Sequence, residues 1–206
     1  MKIDQDSKIN KPDDTVGLNV SGHILIKDKE TGEELVNKRN AIHYGNMAYI
    51  VAQALNGFNT ENAFIDRIAF GNGATSIDTA GKITYKTPKV SEAYENSAGL
   101  YSRTHSKRLN PASTDTFIST TVGASYTDIK ITATLGYNEP SDAELFDTAT
   151  NNAGNYVFDE IGLFTFPTDG SDIDTSTMLT HVIFHPVQKS QNRIIEIVYT
   201  VRIQLS

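Results

Sequence analysis

The chain of 206 residues contains no cysteine and no tryptophan. Without Cys there is no disulfide, thiolate metal site, iron–sulfur cluster or thiol nucleophile to consider. Without Trp, and with nine Tyr scattered along the chain, no aromatic platform for stacking a sugar is visible. No window approaches the roughly 18 consecutive apolar residues that a membrane-spanning helix needs, so no membrane association is expected. The first residues, MKIDQDSKINKPDD, lack the apolar core of a secretory leader, and none is expected. Positive charge is also scarce. Lys and Arg number 18 against 25 Asp and Glu, a formal net charge of −7, which argues against phosphate-backbone binding and hence a nucleic-acid partner.

What remains is an ordinary soluble composition, 38% hydrophobic and 21% charged, long enough for one all-β domain with a sizeable core. Residues 1–16 are polar and contain KPDD, which reads as an extended arm. Residues 22–27 (GHILIK) read as a strand, residues 28–32 (DKETG) as a turn, and residues 33–37 (EELVN) as the returning partner of a hairpin. The period then changes. Tyr44, Ala48, Val51 and Leu55 recur at i, i+4, i+7 and i+11, predicting a helix over residues 40–56. Asn40 suits its N-cap and Asn56-Gly57 its left-handed exit. Ile42, Tyr49, Ile50 and Ala52 spread apolar surface beyond that stripe, so the helix is expected to pack on more than one side, against a sheet or a neighbouring subunit.

Everything after the helix reads as β. Residues 64–70 form a short strand ended by Gly71-Asn72-Gly73. Residues 128–135 (DIKITATL) alternate cleanly, with Ile129, Ile131, Ala133 and Leu135 on one face. Ile195, Ile197, Tyr199, Val201, Ile203 and Leu205 share a face of a long final strand, which should be paired or covered at both edges. Residues 71–115 and 138–154, rich in Ser, Thr, Asn, Gly and Pro, read as long loops. The basic run RTHSKR at residues 103–108 is taken as a solvated part of them.

Four stretches invite a chemical reading. FDEIGLFTF, residues 158–166, holds Asp159 and Glu160 inside an apolar run. On a regular strand, neighbours point to opposite faces, so the two carboxylates are not expected to form a catalytic dyad. Both faces of the run are apolar, as in a strand sandwiched between layers. Gly162 there allows close approach of a ring or a second backbone, and Glu160 needs a cation or backbone amides as partners. HVIFH places His181 and His185 on one face of a strand, roughly 13 Å apart at about 3.3 Å per residue, too far to share a metal ion. His23, His43 and His105 fall in separate elements. GNGATS, residues 71–76, lacks the GK[ST] ending and following helix of a phosphate loop, and is read as a turn. The acidic residues Asp169, Asp172 and Asp174 lack the spacing of a calcium loop and are read as a solvated turn. Asn19-Val20-Ser21 matches a glycosylation sequon and is read as chance. No catalytic, cofactor-binding or metal-binding residue is therefore assigned, and neither an enzyme nor a cofactor is expected.

Several stretches, taken in order, resemble virion structural proteins of tailed bacteriophages. Residues 22–57 (GHILIKDKETGEELVNKRNAIHYGNMAYIVAQALNG) resemble the hairpin-then-helix opening of neck, tail and baseplate components. Residues 65–78 (IDRIAFGNGATSID) resemble the strand and glycine-rich turn of tail-fibre and collar-associated proteins. DEIGLF, residues 159–164, resembles a recurrent late strand in those proteins, followed here as there by residues 179–205 (LTHVIFHPVQKSQNRIIEIVYTVRIQL). The resemblance implies a mainly-β subunit of a ring or trimer in the virion, assembled in the host cytoplasm, without enzymatic activity. Its partners would be other copies of itself, other virion proteins and tail fibres.

The fold expected is mainly β: a two-sheet antiparallel β-sandwich over residues 17–206 with one α-helix near the N-terminus. The function expected is a structural subunit of a tail, neck or baseplate. A carbohydrate-binding β-sandwich recognising a host-surface glycan and a capsid decoration protein are the alternatives.

Overall fold

A computed structural model describes residues 17–57, 63–110, 113–141, 145, 154–167 and 173–205. The expected arm, residues 1–16, lies outside them, as do Asp169 and Asp172 and most of the expected loop over residues 138–154. The elements run in the order β1 (Leu18–Asp28), β2 (Glu34–Arg39), β3 (Ala41–Ile42), α1 (Tyr44–Asn56), β4 (Ile65–Gly71), β5 (Thr75–Ile77), β6 (Ile83–Tyr85), β7 (Arg103–Arg108), β8 (Thr116–Val122), β9 (Tyr126–Leu135), β10 (Asn155–Thr165), β11 (Thr180–Ser190) and β12 (Ile195–Leu205). They form two five-stranded antiparallel sheets, the first in the order β2-β1-β12-β9-β8 and the second β3-β11-β10-β4-β7, with β5–β6 as a separate small hairpin. The two-sheet sandwich with one helix read from the sequence is the fold.

The strand patterns explain the layering. Along β12 the residues alternate between buried and half-buried, with Ile195, Ile197, Tyr199 and Val201 inward. This is the signature of a sheet covered on one face only. β12 sits at the centre of its sheet, paired to β1 on one side and β9 on the other, so its expected protection at both edges is met. The inward residues meet Ile68, Phe70, Phe158, Ile161 and Leu163 of the second sheet in one continuous core. Tyr199 crosses that core. Its hydroxyl donates to Thr180 Oγ1 of the second sheet at 2.7 Å and accepts from Asn40 Nδ2 at 2.8 Å. Burial drives the Tyr199 pKa upward, so the phenol stays neutral as a bridge between the sheets.

The β1–β2 hairpin forms as expected. Asp28 accepts from the amides of Glu30 and Thr31 at 2.9 Å each, and from Arg193 Nε at 2.6 Å. The Thr31 amide and the Arg193 guanidinium hold its carboxyl down to about 2.

Three expectations are corrected. First, the helix starts later. Its N-cap is His43, whose Nδ1 accepts from the Asn46 amide at 3.3 Å. Asn40 is already committed to Tyr199. The left-handed exit at Gly57 (φ 71°) is as expected. Second, most of the expected stripe points outward: Tyr44, Ala48 and Leu55 are exposed and only Val51 is half-buried, whereas Met47 and Ile50 are buried against Ile42 and Leu179. A helix apolar nearly all round offers two stripes, and the neighbouring elements choose between them. The expected packing on more than one side does occur, because residues 91–95 cross its first turn. Gly45 donates to Ser91 O, Asn46 Nδ2 donates to Glu95 O at 2.9 Å and to Met178 O at 2.8 Å, and the Tyr49 and Tyr94 rings lie 4.2 Å apart. Third, residues 71–115 are not all loop. They contain β5 and β6, and the basic run is β7, an edge strand paired to β4.

Candidate functional site

β10 differs from β12 in being buried on both faces. The inner face joins the core, and the outer face is covered by residues 71–102, a long excursion between β4 and β7. Asp159 and Glu160 lie where that excursion touches the strand.

The local cause is a phase shift. Tyr156 and Phe158 point into the main core, and so do Ile161 and Leu163. An alternation that moves from even to odd numbers requires an irregularity between, and the register with β11 does shift between Phe158 and Glu160. A bulge of this kind leaves two successive residues on one side. Asp159 and Glu160 therefore both face the excursion, and the expected split across opposite faces does not hold. The reason lies in the bulge, which regular strand geometry does not anticipate.

Together the two carboxylates do not make an acid dyad. Each is occupied by donors from the excursion. Asp159 accepts from the amides of Ala74 (3.1 Å) and Thr75 (2.8 Å) and from the Thr75 hydroxyl. Glu160 accepts from the amides of Tyr101 (2.9 Å), Ser102 (2.8 Å) and Gly73 (3.3 Å), and from His181 Nε2 at 2.9 Å. The other imidazole nitrogen, Nδ1, accepts from the Lys89 amide at 2.8 Å. That bond places the ring proton on Nε2, so a neutral imidazole donates to the carboxylate. Glu160 and His181 are both fully buried. Burial alone would push the Glu160 carboxyl up. The hydrogen bonds from His181, Tyr101 and Ser102 outweigh it and hold the group below its ordinary range.

GNGATS thus binds anions after all, but they are the protein's own. Its successive amides at Gly73, Ala74 and Thr75 fold around the carboxylates of β10 as a nest folds around a phosphate. Gly71 is glycine for a steric reason: a Cβ there would stand 2.5 Å from Glu160 Oε1 and equally close to Ser102 O. Gly162 plays the part expected of it, since a Cβ would lie 2.7 Å from Thr180 O and 3.1 Å from the Phe164 ring.

The remaining histidines stay apart. His181 is buried while His185 is exposed, within the irregular stretch between Ile183 and Val187, with its Nδ1 3.3 Å from the Tyr85 hydroxyl. His23 meets Asn37. His43 caps the helix, and burial lowers its pKa against the opposing pull of Glu95. His105 faces the core on β7, stacked on Phe70 at 5.7 Å. No group of three potential metal-ligating residues converges among the described residues, and no helix there is long and apolar enough to cross a membrane. The basic run is internally matched: Arg103 with Asp174 at 2.5 Å, Lys107 with Glu139 at 2.7 Å, Arg108 with Asp66 at 3.1 Å.

Two polar residues of the interior have roles that carry no sequence signal. His181 as the partner of Glu160 depends on the register of β10 with β11. Lys189, fully buried and opposite Tyr156 in the same pairing, has its pKa brought down to about 8 by desolvation. The bulge leaves no local signal either, because residues 156–166 are apolar at both parities.

A second feature is apolar. Between α1 and the first sheet lies an open cavity of about 480 Å³, lined by Met47, Ile50, Val51, Ala54, Phe64, Ile118 and Ile203 among others. It adjoins the exposed helix face bearing Leu55, which is 83% exposed.

No protein-family model matches the chain, and neither does any curated protein or solved structure. Fold and site define a two-sheet antiparallel β-sandwich in which a buried carboxylate pair ties down a long surface segment.

Proposed function

We propose that the chain is a structural subunit of a tailed-phage virion, stationed in the tail, neck or baseplate, where it docks neighbouring subunits or fibres and performs no catalysis. The observation that carries this reading is the apolar surface at one end of the sandwich. Leu55 stands exposed on α1, and Met47, Ile50, Val51 and Ala54 of the same helix border an open cavity with mostly apolar walls. Open apolar surface of this sort, on a chain of net charge −7, suits a partner protein better than solvent. The resembling stretches support the same reading, because they fall on β1, β2 and α1, on β4 and β5, and on β10 to β12.

The buried acids fit such a role. Asp159 and Glu160 spend their hydrogen-bonding capacity on the protein's own amides, which fixes a surface segment in one shape for a partner to meet. Antibodies raised against the purified chain test the assignment on particles released by the strain that encodes it. Labelling at one fixed station of a tailed particle is expected. Unlabelled particles, with all of the chain in the soluble fraction, would contradict it.

A further inference from the structure

The edges of the two sheets are protected unequally. β3 is only two residues long. Beyond it, β11 is irregular between Ile183 and Val187 and holds Pro186, and two of its carbonyls are taken by Lys38 Nζ at Ile183 O (2.8 Å) and Arg193 Nη1 at Gln188 O (3.1 Å). β7 holds Arg103, Lys107 and Arg108. β2 holds Glu34, Lys38 and Arg39, and its pairing with β1 is interrupted between Ile26 and Lys27. Shortness, proline, bulges and charge are the devices that keep edge strands from pairing with other chains. β8 has none of them. Its sequence, TFISTTV, is uncharged, it pairs with β9 without a register shift, and Phe117 and Val122 are 61% and 78% exposed.

The ladder phase shows which groups that edge offers. Gly123 N donates to Tyr126 O and Thr134 N to Asp115 O, each at 2.8 Å. Hydrogen-bonded pairs recur every second residue of an antiparallel ladder. Phe117, Ser119 and Thr121 therefore bond to β9, while the backbone groups of Ile118, Thr120 and Val122 point away from the sheet.

We infer that β8 is an assembly edge, and that its partner is β8 of a second copy of this chain, paired antiparallel about a two-fold axis near Ser119. The pairing sets Ile118 opposite Thr120 of the second copy, so outward amides meet outward carbonyls, and β-branched side chains face one another across the seam. Charge selects the same partner. Two copies that each carry −7 approach with least repulsion along an edge without ionisable side chains, and an acidic or basic strand finds no counter-charge on it. Ile118 and Thr120 also line the cavity beneath α1, so the seam brings the two apolar cavities side by side. The inference goes beyond the virion reading and does not depend on it.

Sedimentation velocity of the full chain over a wide concentration range tests it. A reversible dimer is expected. Thr120→Pro, which removes an outward amide without touching the β9 ladder, and Thr120→Lys, which places like charges across the axis, should each weaken dimerisation by about tenfold or more. Both should retain the wild-type circular dichroism spectrum. The lysine variant carries the test if the proline variant fails to fold. A wild-type monomer at millimolar concentration overturns the inference. So does a dimer that survives both substitutions, and if Leu55→Glu then breaks that dimer, assembly runs through the helix face and the docking reading stands without the edge.

Discussion

β12 and β10 are both eleven residues long and both central in their sheets, yet they are built to different rules. β12 alternates, because one of its faces meets the core and the other meets solvent. Its outward charges form surface pairs, Glu196 with Lys27 at 2.8 Å and Arg202 with Asp128 at 2.7 Å. β10 is apolar on both faces, because the core lies under it and residues 71–102 lie over it. The two charges it holds are buried and fully engaged. A carboxylate on the first strand decorates the fold, whereas a carboxylate on the second positions backbone. The same residue type is thus nearly free in one place and costly to alter in the other.

Three substitutions and a titration sharpen that contrast. The largest effect is expected for Glu160→Gln, which keeps the shape of the side chain but removes the charge and turns an amino group toward backbone donors. The loss should be about 2–4 kcal/mol of unfolding free energy, read from urea denaturation followed by circular dichroism. A loss within error of zero would mean that the amides of Tyr101 and Ser102 are held by something else. Gly162→Ala comes next, at about 1–3 kcal/mol, because its methyl group meets Thr180 O in a packed layer.

Acid dependence follows with a definite sign. The Glu160 carboxyl is depressed in the folded state, so its contribution is fully present above the ordinary value of 4.5 and fades as pH falls through the lower folded value. Asp28, held at about 2, acts in the same direction. The stability gap between wild type and Glu160→Gln should therefore narrow on acidification. A gap that widens would refute the assignment of Glu160 as the charged acceptor. At the small end, Lys27→Ala removes a partly exposed pair on β1 and should change stability by under about 1 kcal/mol.

Much of the architecture could be read from the sequence because it rests on period. The alternation of residues 195–205 and 128–135 fixed β12 and β9, and the DKETG turn fixed the first hairpin. The helix was legible in existence and in its C-terminal end but not in its start or orientation, since Tyr44, Ala48 and Leu55 make as good a stripe as the face around Met47 and Ile50. β7 was hidden by its polar composition: RTHSKR is a strand because its backbone pairs with β4, and its charges meet Asp174, Glu139 and Asp66 in three other segments. Such partners come from tertiary structure and leave no local trace. Of the site, the need of Glu160 for amides or a cation followed from burial alone. The identity of those amides, more than 50 residues away in the chain, did not. Asp159 and Glu160 looked separable only while the strand was assumed regular, and apolar residues at both parities of residues 156–166 hid the bulge that joins them.

The central claim is that the carboxylates of β10 hold residues 71–102 in place through specific amides. Amide NMR spectra of wild type and Glu160→Gln test this without depending on overall stability. Amide protons that donate to a buried carboxylate resonate downfield, since such bonds are short and charge-assisted. The Tyr101 and Ser102 signals, with that of Gly73, should move upfield in the variant while those of Ile197 and Val201 on β12 keep their positions. Unmoved signals at Tyr101 and Ser102, or shifts spread evenly through β12, would contradict it.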